Sequence, residues 1–254
     1  MSTNSAVTMG RVPSREARMS ITADRTLLRL SATLLFLGEV ISLVAGYFHP
    51  DQAPANDHHA AFAGYAASKI WTAVHLGQFA GMAVIITGLL TLFFALNVRA
   101  GALAWIARLG ALVAAVTLAL YGVLQAVDGV ALKQAVDAWA SAPDAEKSVR
   151  FASAEAIRWL EWGVRSYQSF MLGLTFMLFA IVIVWTARTS RIIGVLMGLS
   201  GLAYLAQGWV IGSEGFSATN SVPTLVGIVA TLVWSIWLLI SAWRMQPSVD
   251  ASTG

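Results

Sequence analysis

The side chains best suited to chemistry in this sequence are ionisable and amide groups that stand inside long apolar segments. Glu39 lies in the first segment, and Trp71, His75, Gln78 and Met82 follow at i, i+4, i+7 and i+11 in the second, on one helical stripe. At 1.5 Å per residue, His75 is expected about 10 Å below the outer membrane surface. Polar groups in a bilayer are costly unless they are paired or face water, so each is a candidate site residue.

Gln207 of the fifth segment is expected at a similar depth. Glu39, His75, Gln78 and Gln207 together therefore predict one polar cleft that opens outward. A carboxylate beside an imidazole can bind a cation or relay a proton. The alternative is that these side chains only hydrogen-bond to neighbouring helices, which contributes about 0.6 kcal/mol for an average contact.

A second polar group borders this cleft where the fourth segment begins. Arg158, Glu161 and Arg165 share one stripe, and the four-residue spacing of Glu161 and Arg165 predicts a structural ion pair. The alternative is an anion-binding rim over the cleft, closed by Asp128 and Glu214. The candidate ligand-binding residues are Glu39, His75, Gln78, Gln125, Asp128, Glu161, Arg165 and Gln207.

All four histidines, His49, His58, His59 and His75, fall on the predicted outer side, close in sequence to Asp51. Imidazole and carboxylate groups together suit zinc or a similar divalent metal. Their spacing matches no metal motif, so the alternative is a solvated loop. The candidate metal ligands are His49, Asp51, His58 and His59.

Motifs for other chemistry are absent from the sequence. The chain contains no cysteine, no G-x-x-x-x-G-K-[ST] loop, no H-E-x-x-H pair and no G-x-S-x-G elbow. The sequence therefore predicts no catalytic residue and no cofactor.

The composition shows which elements must position these residues. Hydrophobic residues make up 57% of the chain and charged residues 11%, with a mean hydropathy of +0.71, whereas a soluble domain carries about 25% charged residues. The apolar residues form blocks long enough to cross a hydrocarbon core of about 30 Å. The chain is predicted to be an all-α, polytopic transmembrane helical bundle with spans at 25–48, 68–97, 101–127, 163–187, 191–212 and 222–244.

The segment between the third and fourth spans predicts an extracytoplasmic amphipathic helical hairpin over 130–162. Its two short helices, 130–140 and 143–162, are separated by an S-x-x-D capping box that begins at Ser141. We expect this hairpin to lie on or lean into the outer interface. The polar segment 1–24 is predicted to be a disordered cytoplasmic tail, and 246–254 a second tail, on either side of a single membrane domain at 25–245.

The basic residues predict the orientation in the membrane. Ten of the 16 Lys and Arg residues fall on the side of the two termini and six on the other side, which places both termini in the cytoplasm. The basic residues flank apolar blocks, so the expected partner is the lipid bilayer and not nucleic acid. The predicted location is the bacterial inner membrane.

Two stretches, WTAVHLGQFAGM (71–82) and DGVALKQAVDAWASAP (128–143), resemble segments of uncharacterised bacterial multi-pass membrane proteins. The resemblance spans most of the membrane region. It implies the six-helix fold and carries no assigned activity.

Three functions remain open on the sequence alone. The leading hypothesis is a non-enzymatic protein that binds or passes a small solute or ion through the outward-facing cleft. The second is a structural or accessory subunit that forms an oligomer or docks a membrane partner protein. The third is an intramembrane enzyme or redox anchor with Glu39 and His75 as acid and base.

Overall fold

The computed structural model describes residues 24–50 and 54–245 of the chain, which are largely helical and contain no β-strand. The helices are α1 (Arg25–Tyr47), α2 (His58–Ala67), α3 (Trp71–Leu96), α4 (Ala102–Ala126), α5 (Lys133–Ala140), α6 (Asp144–Thr186), α7 (Arg191–Glu214) and α8 (Ser221–Arg244). A π-helical turn, Val127–Leu132, joins α4 to α5, and a 3₁₀ turn, Ala218–Asn220, precedes α8.

Six helical stretches in these ranges are long and apolar enough to cross a membrane: 25–47, 71–96, 102–140, 144–186, 191–214 and 218–244. This confirms the predicted all-α, multi-pass bundle. Large apolar side chains such as Leu30, Trp105, Val195 and Leu225 are half or more exposed on its outer surface. Apolar exposure on this scale suits contact with lipid.

The six spans form a closed ring in the order α1, α3, α4, α6, α7 and α8, with α8 returning to α1. We call the end of the ring that carries residues 24 and 245 the terminal end, and the opposite end, with α2 and α5, the hairpin end. The contacts of α3 with α4 and of α1 with α8 are the least extensive in the ring.

Helices α1 and α3 approach closely because glycines face each other. A Cβ atom on Gly38 would lie 2.7 Å from the Gly81 carbonyl oxygen and 2.7 Å from the Ile85 backbone nitrogen. About two turns further toward the terminal end, the Ser31 hydroxyl donates to the Gly88 carbonyl oxygen at 2.8 Å. Small residues and interhelical hydrogen bonds of this kind hold helices together in lipid, where the hydrophobic effect contributes little.

The α6–α7 pair repeats this contact. A Cβ atom on Gly173 would lie 2.7 Å from the Gly201 carbonyl oxygen and 2.9 Å from the Leu205 nitrogen. The Ser166 hydroxyl donates to the Gly208 carbonyl oxygen at 2.7 Å. In both pairs the serine lies seven residues before the glycine of its own helix. The two glycines of the partner helix are also seven residues apart, Gly81 and Gly88 in α3 and Gly201 and Gly208 in α7.

The terminal half of the ring is filled with apolar side chains. Leu35 and Leu89 meet there from α1 and α3, and Phe179 and Ile193 from α6 and α7, all fully buried. The large cavity inside the ring lies on the other side of this packing, toward the hairpin end.

The predicted break between the outer hairpin and the fourth span is wrong. Helix α6 runs without interruption over 43 residues, about 65 Å at 1.5 Å per residue, roughly twice the hydrocarbon thickness. The hairpin is therefore a continuation of the third and fourth spans beyond the membrane, and it cannot lie flat on the surface. It carries a second core with α2, made of Ala61, Phe62, Tyr65, Trp71, Leu132, Val136, Trp139 and Ala154.

The capping box is also wrong. Pro143 occupies the N-cap of α6 and makes no side-chain cap bond. The Ser141 hydroxyl instead donates back to the Asp137 carbonyl oxygen at 2.8 Å, closing the end of α5. The predicted tails, 1–24 and 246–254, lie outside the described ranges except for Asp24. The Asp24 side chain caps α1 by accepting from the Leu27 nitrogen at 3.0 Å.

Candidate functional site

A cavity of about 700 Å³ occupies the hairpin half of the ring. We call it the ring cavity; all six spans contribute to its wall. It opens at the hairpin end, where the lining residue Tyr47 is 84% exposed. From there it reaches down to Glu39, two helical turns or about 12 Å along α1. Its size is that of a site for a small organic molecule.

The lower wall of the ring cavity is mainly apolar, with Met82, Ile85, Leu172 and Phe176 among its lining residues. Glu39 projects into this region and is only 6% exposed. The Ser235 hydroxyl donates to its Oε2 atom at 3.1 Å, whereas its Oε1 atom is buried without a hydrogen-bond partner. One carboxylate oxygen of Glu39 is therefore left without a hydrogen bond at the floor of the cavity.

The upper wall is polar. Gln78 and Gln125 line it half-buried, and the Gln125 Oε1 atom has no hydrogen-bond partner. Arg165 enters from α6, beside the hydroxyl of Tyr121. Its guanidinium donates to the Gln168 amide oxygen at 3.4 Å, a long contact. Among the described residues, no carboxylate lies within ion-pair distance of it.

Glu161 also lines the upper wall, but its partner differs from the predicted one. It accepts from Arg158, three residues earlier, at 2.5 Å, so the predicted Glu161–Arg165 ion pair is wrong. The reason is the position of Arg158, which stacks between the rings of Tyr65 and Phe216 at 5.5 and 4.9 Å and is buried against Glu161. This pairing leaves the Arg165 charge directed to the cavity.

Three candidate ligand-binding residues do not line the ring cavity. The Gln207 amide bonds to two neighbouring helices, because it accepts from Ser169 at 3.0 Å and donates to Thr224 at 2.7 Å. For Gln207 the structural alternative describes the geometry. His75 and Asp128 also lie outside the cavity wall and pair with each other instead.

His75 and Asp128 form a cluster with His49 at the junction of α1, α3 and α4. His75 is 3% exposed and stacks on Trp71. Its Nε2 atom lies 3.1 Å from the Asp128 Oδ2 atom, and its Nδ1 atom 2.8 Å from the Trp71 carbonyl oxygen. The ring of His49 lies 5.3 Å from that of His75, and one ligand atom from each of the three residues falls within 4.8 Å of the others.

The π-helical turn after α4 places Asp128 in this cluster. Such turns shift the side-chain register within a helix and occur often at functional sites. The turn brings Gly129 so close to His75 that a Cβ atom on the glycine would lie 2.8 Å from the histidine Cβ. The Trp71 indole N–H also donates to the Asp128 backbone carbonyl at 3.3 Å, which fixes the turn against α3.

The other candidate metal ligands are not brought together. His58 lies 2.9 Å from Glu155 through its Nδ1 atom, and His59 packs against the rings of Trp139 and Phe151. Asp51 lies outside the described residues. Of the predicted metal set, the structure therefore places only His49 in a cluster, with partners that the sequence suggested for a different role.

Several lining residues were not predicted, among them Tyr121, Tyr204, Thr231 and Phe216. Tyrosines and threonines occur throughout the spans, and nothing in their spacing distinguishes those that face the interior. The lining residue Arg158 does have a sequence signal, because it shares a stripe with Glu161 and Arg165.

Comparison with known protein families, curated proteins and solved structures finds no match to this chain. The interpretation of the ring cavity and of the histidine cluster therefore rests on their own chemistry.

Proposed function

We propose that this membrane protein binds a small amphipathic organic anion in the ring cavity, as a non-enzymatic site for a solute. The observation that carries the proposal is Arg165. It is a cavity-lining guanidinium with no carboxylate within ion-pair distance among the described residues. Arginine presents several fixed donors that match the oxygens of a carboxylate or phosphate group.

The remaining walls indicate the rest of the ligand. Below Arg165, the apolar lining of Leu172 and Phe176 suits a hydrocarbon or aromatic body. At the floor, the unpartnered Oε1 atom of Glu39 suits a hydrogen-bond donor. An ionisable residue within a membrane span is expensive, which supports a role for Glu39 beyond helix packing.

The charge bias of the sequence supports a direction for this site. With the terminal end in the cytoplasm of a bacterial inner membrane, the ring cavity opens outward and its packed side faces the cytoplasm. The site then takes its ligand from outside the cell or from the outer leaflet.

The proposal is tested with a probe of matched chain length and variable head group. The protein is reconstituted in phosphatidylcholine nanodiscs, and its thermal unfolding is followed with decanoate, decan-1-ol and decyltrimethylammonium. A ligand at 100 times its Kd stabilises a fold by about 2.7 kcal/mol, or about 5–10 °C for a domain of this size. We expect this shift with decanoate only.

Three variants locate the effect. Arg165→Gln removes the cavity charge and should abolish the decanoate shift, whereas Arg150→Gln removes an exposed charge on the same helix and should retain it. Ile228→Trp narrows the cavity from α8 and should also weaken binding. Equal shifts with all three probes, or a full shift in Arg165→Gln, would contradict the proposal.

The same data separate the rival functions. A purely structural or accessory subunit predicts no dependence on the head group, and its variants change only the stability of the ligand-free protein. An intramembrane enzyme or redox anchor predicts conversion of a bound molecule or a visible absorption band in the purified protein.

A further inference from the structure

We infer that His49, His75 and Asp128 form a binding site for a divalent metal ion of the zinc class. The inference does not rest on the proposed solute site: His75 and Asp128 do not line the ring cavity, although His49 does. Imidazole nitrogen and carboxylate oxygen are ligands that zinc takes in proteins, and two histidines with one carboxylate leave a fourth position open.

The hydrogen bonds of His75 support a ligand role. A carbonyl oxygen only accepts, so the His75 Nδ1 atom, 2.8 Å from the Trp71 carbonyl, carries a proton. In the neutral ring the Nε2 lone pair then faces Asp128 Oδ2 at 3.1 Å. Two acceptors at this distance repel each other unless a positive species, a proton or a metal ion, lies between them. Metal-binding histidines commonly donate their second N–H to a backbone carbonyl in this way.

The distances also suit a metal ion. Ligand atoms held about 2.0–2.1 Å from a tetrahedral zinc ion lie about 3.3 Å from each other. The His75–Asp128 contact of 3.1 Å is already close to that value. The ligand atom of His49 lies within 4.8 Å of those of His75 and Asp128. Its ring packs against the rings of Tyr65, Trp71 and His75, with centroids 6.0, 5.2 and 5.3 Å away, so aromatic contacts hold it beside the other two ligands.

Asp128 is prepared for a second contact. Its Oδ1 atom is buried and makes no hydrogen bond in the described structure. Gly129 leaves the space that His75 occupies, because a Cβ atom there would lie 2.8 Å from the histidine. The site is thus shaped around the His75 imidazole by a glycine, a π-helical turn and the Trp71 indole. Since His49 also lines the ring cavity, a metal ion at the cluster would adjoin it.

The test measures metal binding by the whole purified chain, carrying a streptavidin-binding peptide rather than a polyhistidine tag. After treatment with EDTA, Zn²⁺ is titrated by calorimetry, and Co²⁺ by its visible absorption, which reports the coordination geometry. We expect one equivalent of Zn²⁺ per chain and a Co²⁺ spectrum of low coordination number. Absence of saturable binding at one equivalent would overturn the inference.

Variants distinguish this site from surface histidines. Loss of a residue that only holds a metal ligand in place typically weakens metal binding by about 10- to 100-fold. His49→Gln and Asp128→Asn each remove a ligand and should weaken Zn²⁺ binding by more than this. Trp71→Phe removes the hydrogen bond to the turn and part of the ring surface that packs on His75, but no metal ligand, and should fall within that range. His59→Gln should bind like the wild type. Unchanged affinity in both ligand variants would show that the His75–Asp128 pair holds a proton only, and would overturn the inference.

Asp128→Asn retains the shape of the side chain, so it keeps the test decisive if His49→Gln does not fold. The decanoate shift provides the connection to the proposed function. A wild type that binds Zn²⁺ without responding to decanoate contradicts the solute proposal alone, and the converse result contradicts the metal site alone.

Discussion

Loss of the Glu161 carboxylate is expected to destabilise the fold far more than loss of another carboxylate on the same helix. Glu161 pairs with Arg158 at 2.5 Å, and Glu146 pairs with Arg150 at 3.1 Å. The side chains of the first pair are each 4% exposed, whereas those of the second are 54% and 52% exposed. The two pairs differ mainly in their access to water.

The expected magnitude follows from this difference. Glu161→Gln keeps the side-chain shape but leaves the Arg158 charge, 3% exposed, between the rings of Tyr65 and Phe216 without its carboxylate. Removing one partner of a buried pair costs about 3–5 kcal/mol, while an exposed i,i+4 pair contributes about 0.3–0.5 kcal/mol. At about 2–4 °C per kcal/mol, Glu161→Gln should lower Tm by about 6–20 °C and Glu146→Gln by about 2 °C or less.

The assay is thermal unfolding in detergent, followed by intrinsic tryptophan fluorescence. The double variant Arg158→Gln, Glu161→Gln should recover part of the loss, because no unpaired charge then remains. A Tm for Glu161→Gln within 2 °C of that for Glu146→Gln would refute the argument, because it would mean that Arg158 reaches solvent or another partner.

Three further predictions test the fold and its orientation. Gly38→Ala inserts a methyl group 2.7 Å from the α3 backbone. It should lower the free energy of unfolding by about 2 kcal/mol, after the gain of about 1 kcal/mol in helix propensity. In the control Gly46→Ala, on the same helix, the methyl group meets nothing within 4 Å and should not lower Tm. Gln207→Leu should lower Tm by a few degrees, since two interhelical hydrogen bonds are lost at about 0.6 kcal/mol each, and should leave the decanoate shift intact. A reporter fused after Gly254 should be active only in the cytoplasm and one inserted at Ala142 only outside, and the opposite pattern would reverse the proposed direction of the cavity.

The sequence was sufficient for the spans because apolar length is a direct physical requirement of the bilayer. It was insufficient for the extension beyond the membrane. The composition changes from polar to apolar near Gly163 and so predicts a helix boundary there, yet the backbone of α6 continues through it. A change of solvent alters the side chains that a helix needs without requiring the helix to end.

The sequence predicts which polar residues lie in the spans but not which neighbour each one faces. Glu39 and Gln78 share one predicted cleft, and both line the ring cavity. The stripe that His75 shares with Gln78 predicts the same cleft for both, but a stripe on a helix is wide enough to face two neighbouring helices. The π-helical turn brings Asp128 to His75, 53 residues away in sequence, and no local spacing reports such a contact.

The choice of partner for Glu161 illustrates the same limit. Spacings of three and four residues both bring charges together on a helix. The burial of Arg158 under aromatic rings from two distant segments favours the shorter spacing. Those rings belong to α2 and to the loop before α8, so the outcome depends on tertiary packing.

The two glycine-packed pairs in the ring also limit how the protein can move. Since α1–α3 and α6–α7 are each in backbone contact, a breathing motion that admits a molecule has to occur at the weak seams, α3–α4 and α1–α8. The Glu39–Ser235 contact bridges one seam and the His75–Asp128 contact bridges the other. A ligand or metal ion bound at either contact would therefore limit how far the α1–α3 pair can move away from the rest of the bundle.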